Sequence, residues 1–253
     1  MTFKGEVALV TGAARGIGFA TARVLAQQGM RVAVNDSNAS ACEDAVQKLR
    51  EEGLDATAYS GDVSNPADVG RIFSALGTIW LLVNNAGVFH SASIQDYPEE
   101  AWDRAFAVDV KAAFLCSQQA VRRMIPAGAG RIVVVSSIAG RIVRTGQIAY
   151  SSAKAAAIHF AQCLAVEVAE HGITVNCLCP GMTDSAMLRQ TASDRGLAVD
   201  DYLKMIPSGR LATPEDHAQT ILWLASKEAA HVTGQVISVD GGQSLYHPLT
   251  LRG

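Results

Sequence analysis

Short apolar runs rich in β-branched residues recur along the chain, and longer Ala-rich stretches with helical periodicity separate them. The runs at 7–10, 31–35, 56–60, 79–84, 131–136, 173–178 and 235–239 read as strands. The stretches at 16–29, 39–52, 66–76, 99–125, 150–171 and 214–226 read as helices. Continuous apolar strands that alternate with helices predict a parallel sheet of about seven strands, covered on both faces. Asn65-Pro66 and Thr213-Pro214 each set a cap residue before a proline at the first helical position. Gly29, Gly53 and Gly172 stand where helices should stop. The stretch 181–210 is polar and weakly periodic, and is expected to form a substrate lid. No linker or repeat divides the 253 residues, so one domain over 1–253 is expected.

Composition narrows the function classes. Apolar residues make up 49% of the chain and charged residues 18%, enough to bury a large core. A net charge of −3 offers no basic surplus, so no nucleic-acid partner is expected. No apolar run is long enough to span a membrane, and the first residues do not read as a signal peptide. The five cysteines have neither disulfide-framework nor zinc spacing, and Cys177 and Cys179 read as small buried hydrophobes on a strand. A reducing, cytoplasmic setting is the default, and no metal site is expected.

The first strand runs into Thr11-Gly12-Ala13-Ala14-Arg15-Gly16-Ile17-Gly18. Such a turn lets backbone approach a pyrophosphate, and the helix beginning there points its positive end at the anion. A glycine turn can equally serve tight strand–helix packing. Asp36 ends the second strand. It could accept both hydroxyls of an adenosine ribose, which favours NAD over NADP, or it could cap the next helix. Arg15 is the opposing signal, since it could reach a phosphate. Asp62-Val63 lies after the third strand, where an adenine edge would sit; Asp62 could instead cap the helix at Pro66.

Tyr150 and Lys154 are four residues apart in a helical stretch and share a face. A tyrosine with pKa of about 10 is a weak acid–base catalyst at neutral pH, and a nearby cation favours its phenolate. A shift of about three units takes roughly 4 kcal/mol. Ser137 lies thirteen residues upstream of Tyr150, after the fifth strand, where it could bond a substrate oxygen or close an ordinary turn.

Together these residues resemble the short-chain dehydrogenases/reductases, over nearly the whole chain. Thr11-Gly12-x-x-x-Gly16-Ile17-Gly18 is similar to that family's cofactor turn, and Asn84-Asn85-Ala86-Gly87 to its motif after the fourth strand. Ser137, Tyr150 and Lys154 match its catalytic serine, tyrosine and lysine; Pro180-Gly181 matches its turn beside the nicotinamide. The segments at Gly209-Arg210, Pro214-Glu215-Asp216 and Val239-Asp240-Gly241-Gly242 also resemble the family. The resemblance implies a single-domain, Rossmann-type doubly wound α/β fold. It implies hydride exchange between NAD and a secondary alcohol or ketone, with Tyr150 as general acid or base, Lys154 holding ribose and Ser137 positioning the substrate oxygen. Gly12, Arg15, Gly16, Ile17, Gly18, Asp36, Asp62, Val63, Asn85, Ala86, Gly87, Tyr150, Lys154, Pro180, Gly181 and Thr183 would bind the cofactor, Thr183 on the carboxamide side.

Two positions depart from the family pattern. Asp109, 41 residues before Tyr150, stands where the family usually has an asparagine that interrupts a helix and completes a proton relay. An aspartate could pair with Lys154 and weaken its pull on Tyr150, favouring oxidation at alkaline pH. Trp80 stands where aspartate is common, and is expected to alter packing or an oligomer surface rather than chemistry.

Substrate contacts are expected from His90, Arg144 and Gln147 and from the lid. Arg144 could pair with a substrate carboxylate, or be solvated or bridge subunits. Arg144 and the 180–187 segment are similar to dehydrogenases of dihydrodiol carboxylates such as 2,3-dihydro-2,3-dihydroxybenzoate. Gly146-Gln147 and Gly209-Arg210-Leu211 are similar to 3-oxoacyl-carrier-protein reductases. A catalytically silent NAD-binding sensor is the reading from a different class, with Asp109 as its support. Helices 99–125 and 150–171 would pack against symmetry mates through Ala-rich faces, giving a homotetramer, with a dimer as the alternative.

Overall fold

A computed structural model describes residues 3–185, 188, 189, 192, 196 and 198–246. The described residues form one α/β domain around a seven-stranded, wholly parallel sheet of order β3-β2-β1-β4-β5-β6-β7. The strands are β1 (Val7–Val10), β2 (Arg31–Val34), β3 (Ala56–Ala58), β4 (Leu81–Asn84), β5 (Gly130–Val135), β6 (Ile173–Pro180) and β7 (Val236–Val239). All seven expected runs are present, with ends shifted by up to two residues. β4, β5 and β6 are buried along their whole length, because helices cover both faces.

On one face α1 (Gly16–Gln27), α2 (Ala39–Glu51) and α8 (Pro214–Ala225) bury Leu25, Val46 and Ile221. On the other, α3 (Pro66–Leu76), α5 (Ala112–Ala127) and α6 (Ile148–Val168) bury Phe73, Met124 and Ala161. The expected caps form. Asn65 accepts from the Ala67 N–H at 2.9 Å and Thr213 from the Asp216 N–H at 3.2 Å. The chain turns out of its helices through left-handed glycines at 29, 53 and 172.

Two expectations need correction. The stretch 99–125 is not one helix. α4 (Glu99–Phe106) passes into a π-helical turn, Ala107–Lys111, before α5 begins. Widening a helix by one residue rotates the next turn about the axis and brings Asp109 inward, the usual use of such a bulge. The alanine stripe of α6 is also not free for a symmetry mate. Ala149, Ala153, Ala157, Ala161 and Ala165 recur every four residues and are all buried within the chain, so that the helix lies close on its own sheet. The outer faces of α5 and α6 instead expose Phe114, Ile125 and Val166. The 181–210 stretch contains a further short helix, α7 (Val199–Leu203). Residues 186, 187, 190, 191, 193–195 and 197 of this expected lid lie outside the described residues.

Trp80 serves packing. It leads into β4, and its Nε1–H donates to the Ala225 carbonyl at 3.0 Å, tying the sheet to the end of α8. The buried Arg131 guanidinium lies 4.7 Å over its ring. Ring and cation thus close the floor of the sheet, at the end away from the strands' carboxyl termini, and such desolvated contacts are worth about 2 kcal/mol. Trp80→Ala is expected to lower stability by about 3 kcal/mol, and Trp80→Phe, which keeps a ring under Arg131, by about half of that. Urea unfolding measures both; equal losses would remove the stacking argument.

Candidate active site

In this strand order β1 and β4 are neighbours whose connecting segments diverge to opposite faces of the sheet, which leaves a crevice at their carboxyl ends. The sequence there ties the two ends together. The Thr11 Oγ1 accepts the N–H groups of Asn85 and Ala86, both at 3.0 Å. The Asn85 side-chain amide donates to the Thr11 and Gly12 carbonyls at 2.9 and 3.0 Å. Gly12 has φ +61°, and a Cβ on it would sit 2.8 Å from the Ala86 Cα. Gly18 admits no side chain either: a Cβ would meet the Gly12 carbonyl at 2.5 Å and the Asn85 amide at 2.6 Å. Gly18 therefore sets the close approach of α1 and stands behind the crevice rather than lining it. Gly16 differs, with φ +58° and open space in front of it. Among the described residues no side chain caps α1, and its first turn carries no acid. A glycine-walled hollow before an uncapped, twelve-residue helix fits a pyrophosphate.

Asp36 does not cap α2; Asn38 does, accepting from the Ala41 N–H at 3.0 Å. The Asp36 carboxylate accepts from the Ala14 N–H at 3.3 Å and the Asn38 N–H at 3.1 Å, so it joins the end of β2 to the glycine turn. Nor does Asp62 cap α3, a role taken by Asn65. Its carboxylate accepts from Ser64 at 2.7 and 2.9 Å and pairs with Arg104 at 3.1 Å. Although burial pushes the Asp62 carboxyl up, the hydrogen bonds from Ser64 and Arg104 outweigh it and hold the group below the usual range. Arg104, on α4, also lines the crevice and had no signal in the sequence beyond its charge.

Across the crevice, Ser137 stands just past β5, and Tyr150 and Lys154 occupy the first turns of α6. The Ser136 hydroxyl donates to the Lys154 carbonyl at 2.8 Å and pins α6 to β5. The Lys154 Nζ lies 5.6 Å from the centre of the Tyr150 ring, donates to the Val135 carbonyl at 3.2 Å and pairs with Asp109 Oδ1 at 3.0 Å. Phe89 meets the Tyr150 ring edge-on at 5.1 Å. Both partners of the ion pair are buried. Burial alone would pull the lysine down; Asp109 and Tyr150 overcome it and hold Lys154 above the ordinary lysine value. Burial pushes the Asp109 carboxyl up, against the pull of Lys154 and the Val88 backbone amide. Asp109 itself does not line the crevice. It reaches Lys154 from behind Gly87, where a Cβ would come within 2.7 Å of its Oδ1.

The crevice opens into a cleft of about 1470 Å³. Gly12, Arg15, Gly16, Ile17, Asp36, Asp62 and Val63 line one end, and Asn85, Ala86 and Gly87 its floor. Ser137, Tyr150, Lys154, Pro180, Gly181 and Thr183 line the other end, together with His90, Arg144 and Gln147. His90 also stacks edge-on against Tyr97 at 5.3 Å. Arg141 turns away, donating to the Ser238 hydroxyl at 2.6 Å on β7. The segment after β7 shapes the turn at 180–183. Gln243 Oε1 accepts from the Met182 N–H at 3.1 Å, and a Cβ on Gly181 would meet that of Asp240 at 2.6 Å.

Beneath that turn lies a residue absent from the expectations drawn from sequence. His217, on α8, is fully buried, and its Nε2 sits 2.8 Å from the Thr183 Oγ1. A signal for it exists: 217, 221 and 224 fall on the buried face of a helix, and a histidine there needs a polar partner. Burial pulls its pKa down to about 4, against an opposing push from Asp216.

The chain matches the family model described as Enoyl-(Acyl carrier protein) reductase over residues 12–244. It is 37% identical over 253 residues to the 2,3-dihydro-2,3-dihydroxybenzoate dehydrogenase of Bacillus subtilis (strain 168), covering 96% of this chain and 97% of the relative. It is 34% identical over 249 residues to the 3-oxoacyl-acyl-carrier-protein reductase of Escherichia coli (strain K12), covering 96% and 98%. Among solved structures, a gluconate 5-dehydrogenase from Burkholderia cenocepacia J2315 in complex with NADP and tartrate superposes with a TM-score of 0.91 at 29% identity, covering 97% and 98%.

The buried His217 makes acid stability testable. Its folded pKa lies below the unfolded value of 6.5, so the unfolded chain takes up the proton first. The resulting penalty is absent above pH 6.5, and stability falls as pH drops from 6.5 towards about 4. Urea midpoints measured across that window should flatten in His217→Leu; an unchanged slope would show that the histidine does not titrate on unfolding.

Proposed function

The chain belongs to the short-chain dehydrogenase/reductase family, an NAD(P)-dependent oxidoreductase acting on CH–OH groups, and from that premise we propose that it interconverts a secondary alcohol and a ketone with NAD(H) through Tyr150. The observation that carries this reading is the convergence of Ser137, Tyr150 and Lys154 on one end of a cleft whose other end is the glycine hollow.

The nicotinamide supplies the hydride chemistry when bound. The chain's own residues orient and move protons. In the oxidative direction Tyr150 takes the proton of the substrate hydroxyl, and in the reductive direction it returns one to the carbonyl oxygen. Ser137 holds that oxygen beside the phenol. Lys154, as a cation, favours the phenolate and would bond the ribose. Gly12, Arg15, Gly16 and Ile17 would hold the pyrophosphate, with Gly18 behind them, Asp36 the adenosine ribose, and Asp62 and Val63 the adenine edge. Pro180, Gly181 and Thr183 would flank the nicotinamide.

Asp36 supports NAD over NADP, because a carboxylate at the ribose repels a 2′-phosphate. The exposed Phe114, Ile125 and Val166 support a homotetramer. A second substrate reading rests on Arg144. Its place in the cleft, with the likeness to a dihydrodihydroxybenzoate dehydrogenase, supports a cyclic diol bearing a carboxylate.

Initial rates with NAD and NADP over secondary alcohols, ketones, 3-oxoacyl thioesters and cyclic diol carboxylates test the reading. NAD is expected to be preferred, and Tyr150→Phe to lower turnover by at least about a hundredfold. Cofactor binding without turnover anywhere in the panel would return the chain to a sensor role. The ion pair generates a separate expectation. In Asp109→Asn the charge opposing Lys154 is gone, so the rise of oxidation rate with pH should move to lower pH. A superimposable pH–rate profile would dismiss any influence of Asp109 on proton transfer.

A further inference from the structure

The Thr183 hydroxyl has two partners within the chain and one proton. Its Oγ1 lies 3.1 Å from the Gly181 carbonyl, which can only accept, and 2.8 Å from the His217 Nε2. Donating that proton to Gly181 requires His217 to supply an N–H at Nε2, leaving its Nδ1 bare. The His217 Nδ1 is buried and has no hydrogen-bond partner among the described residues, as a bare nitrogen tolerates better than a donor does. The opposite tautomer would bury an unpaired N–H at Nδ1, and it would draw the hydroxyl proton away from Gly181. An unpaired buried donor gives up its hydrogen bond to water and gains none in return. Burial also keeps the ring neutral, since its pKa falls to about 4.

With its proton committed to Gly181 and one lone pair taken by His217, the Thr183 hydroxyl retains one lone pair, and Thr183 lines the cleft. We propose that His217 is a positioning residue that fixes the Thr183 hydroxyl as a hydrogen-bond acceptor for the amino group of the nicotinamide carboxamide. The inference rests on the proposed binding of a nicotinamide cofactor in the cleft. It adds that the Thr183 hydroxyl takes the N–H of the ligand's amide, and that a residue on α8 outside the cleft lining sets this polarity.

Calorimetric binding of NAD+ and of 3-acetylpyridine adenine dinucleotide to the full chain tests it, because a methyl group replaces the amide amino group in the analogue. His217→Leu should weaken NAD+ about tenfold, the value of one such hydrogen bond, and the analogue less than about twofold. His217→Gln, which can present an N–H, should recover most of the loss. His217→Leu should add nothing in a Thr183→Val background. Equal losses for both ligands would mean that His217 only packs the turn, and unchanged NAD+ affinity would remove the inference. Nitrogen NMR of the wild-type imidazole needs no variant to fold: a proton on Nε2 is expected, and a proton on Nδ1 overturns the proposal. Wild-type protein that binds neither NAD+ nor NADP+ would overturn the cofactor reading and this inference together. A loss in Thr183→Val without one in His217→Leu would overturn this inference alone.

Discussion

The structure depends on the clasp that Thr11 and Asn85 form across the ends of β1 and β4. A parallel sheet must open where its strand order reverses, because the connections on either side leave to opposite faces. At that opening, backbone carbonyls and N–H groups lose their ladder partners, and burying them unpaired costs about 1–3 kcal/mol each. One hydroxyl and one carboxamide satisfy four of them at 2.9–3.0 Å. The same bonds hold the Gly12 turn against Ala86 so closely that Gly12 has no room for a side chain. The crevice is therefore a rigid feature of the sheet, and both ends of the cleft are built outward from it.

The buried pair of Lys154 and Asp109 is the second constraint, of a different kind. Two charges removed from water attract strongly, yet the desolvation they suffer makes such a pair a weak source of net stability. Its value lies in placement. The pair joins the π-helical turn to α6, carries the ammonium to 5.6 Å from the centre of the Tyr150 ring, and seals the space behind Gly87. An asparagine at 109 would leave the lysine's charge uncompensated on that side, and the aspartate gives the lysine a firmer hold.

The fold was largely legible in the sequence because its strands are buried on both faces and separated by helices with clear caps. Asn65-Pro66 and Thr213-Pro214 marked helix starts by local chemistry that tertiary packing did not override. The break at Ala107–Lys111 was not legible from periodicity, since five residues in a wider turn barely disturb an apolar stripe. The glycine hollow and the serine, tyrosine and lysine were legible through order and spacing. Arg104 was not, and for His217 the helical periodicity showed the burial but not the partner. Arg104 acts on Asp62, 42 residues away in sequence, and His217 on Thr183, 34 residues away, and no local pattern marks such a contact. The alanines of α6 misled for a related reason: small side chains permit close approach, but composition does not say to what.

The hold that Asp240 and Gln243 keep on the turn at 180–183 bears on how the protein is made. A chain emerging from the ribosome can pair β1 with β4 and bring Ser137, Tyr150 and Lys154 together before residues 240–243 have been made. The turn at 180–183 is not yet set at that stage, because Gly181 and Met182 take their packing and hydrogen bond from residues translated some 60 positions later. Synthesis itself thus orders the assembly. The glycine hollow can form first, and the turn at 180–183 is set only once Asp240 and Gln243 have been made.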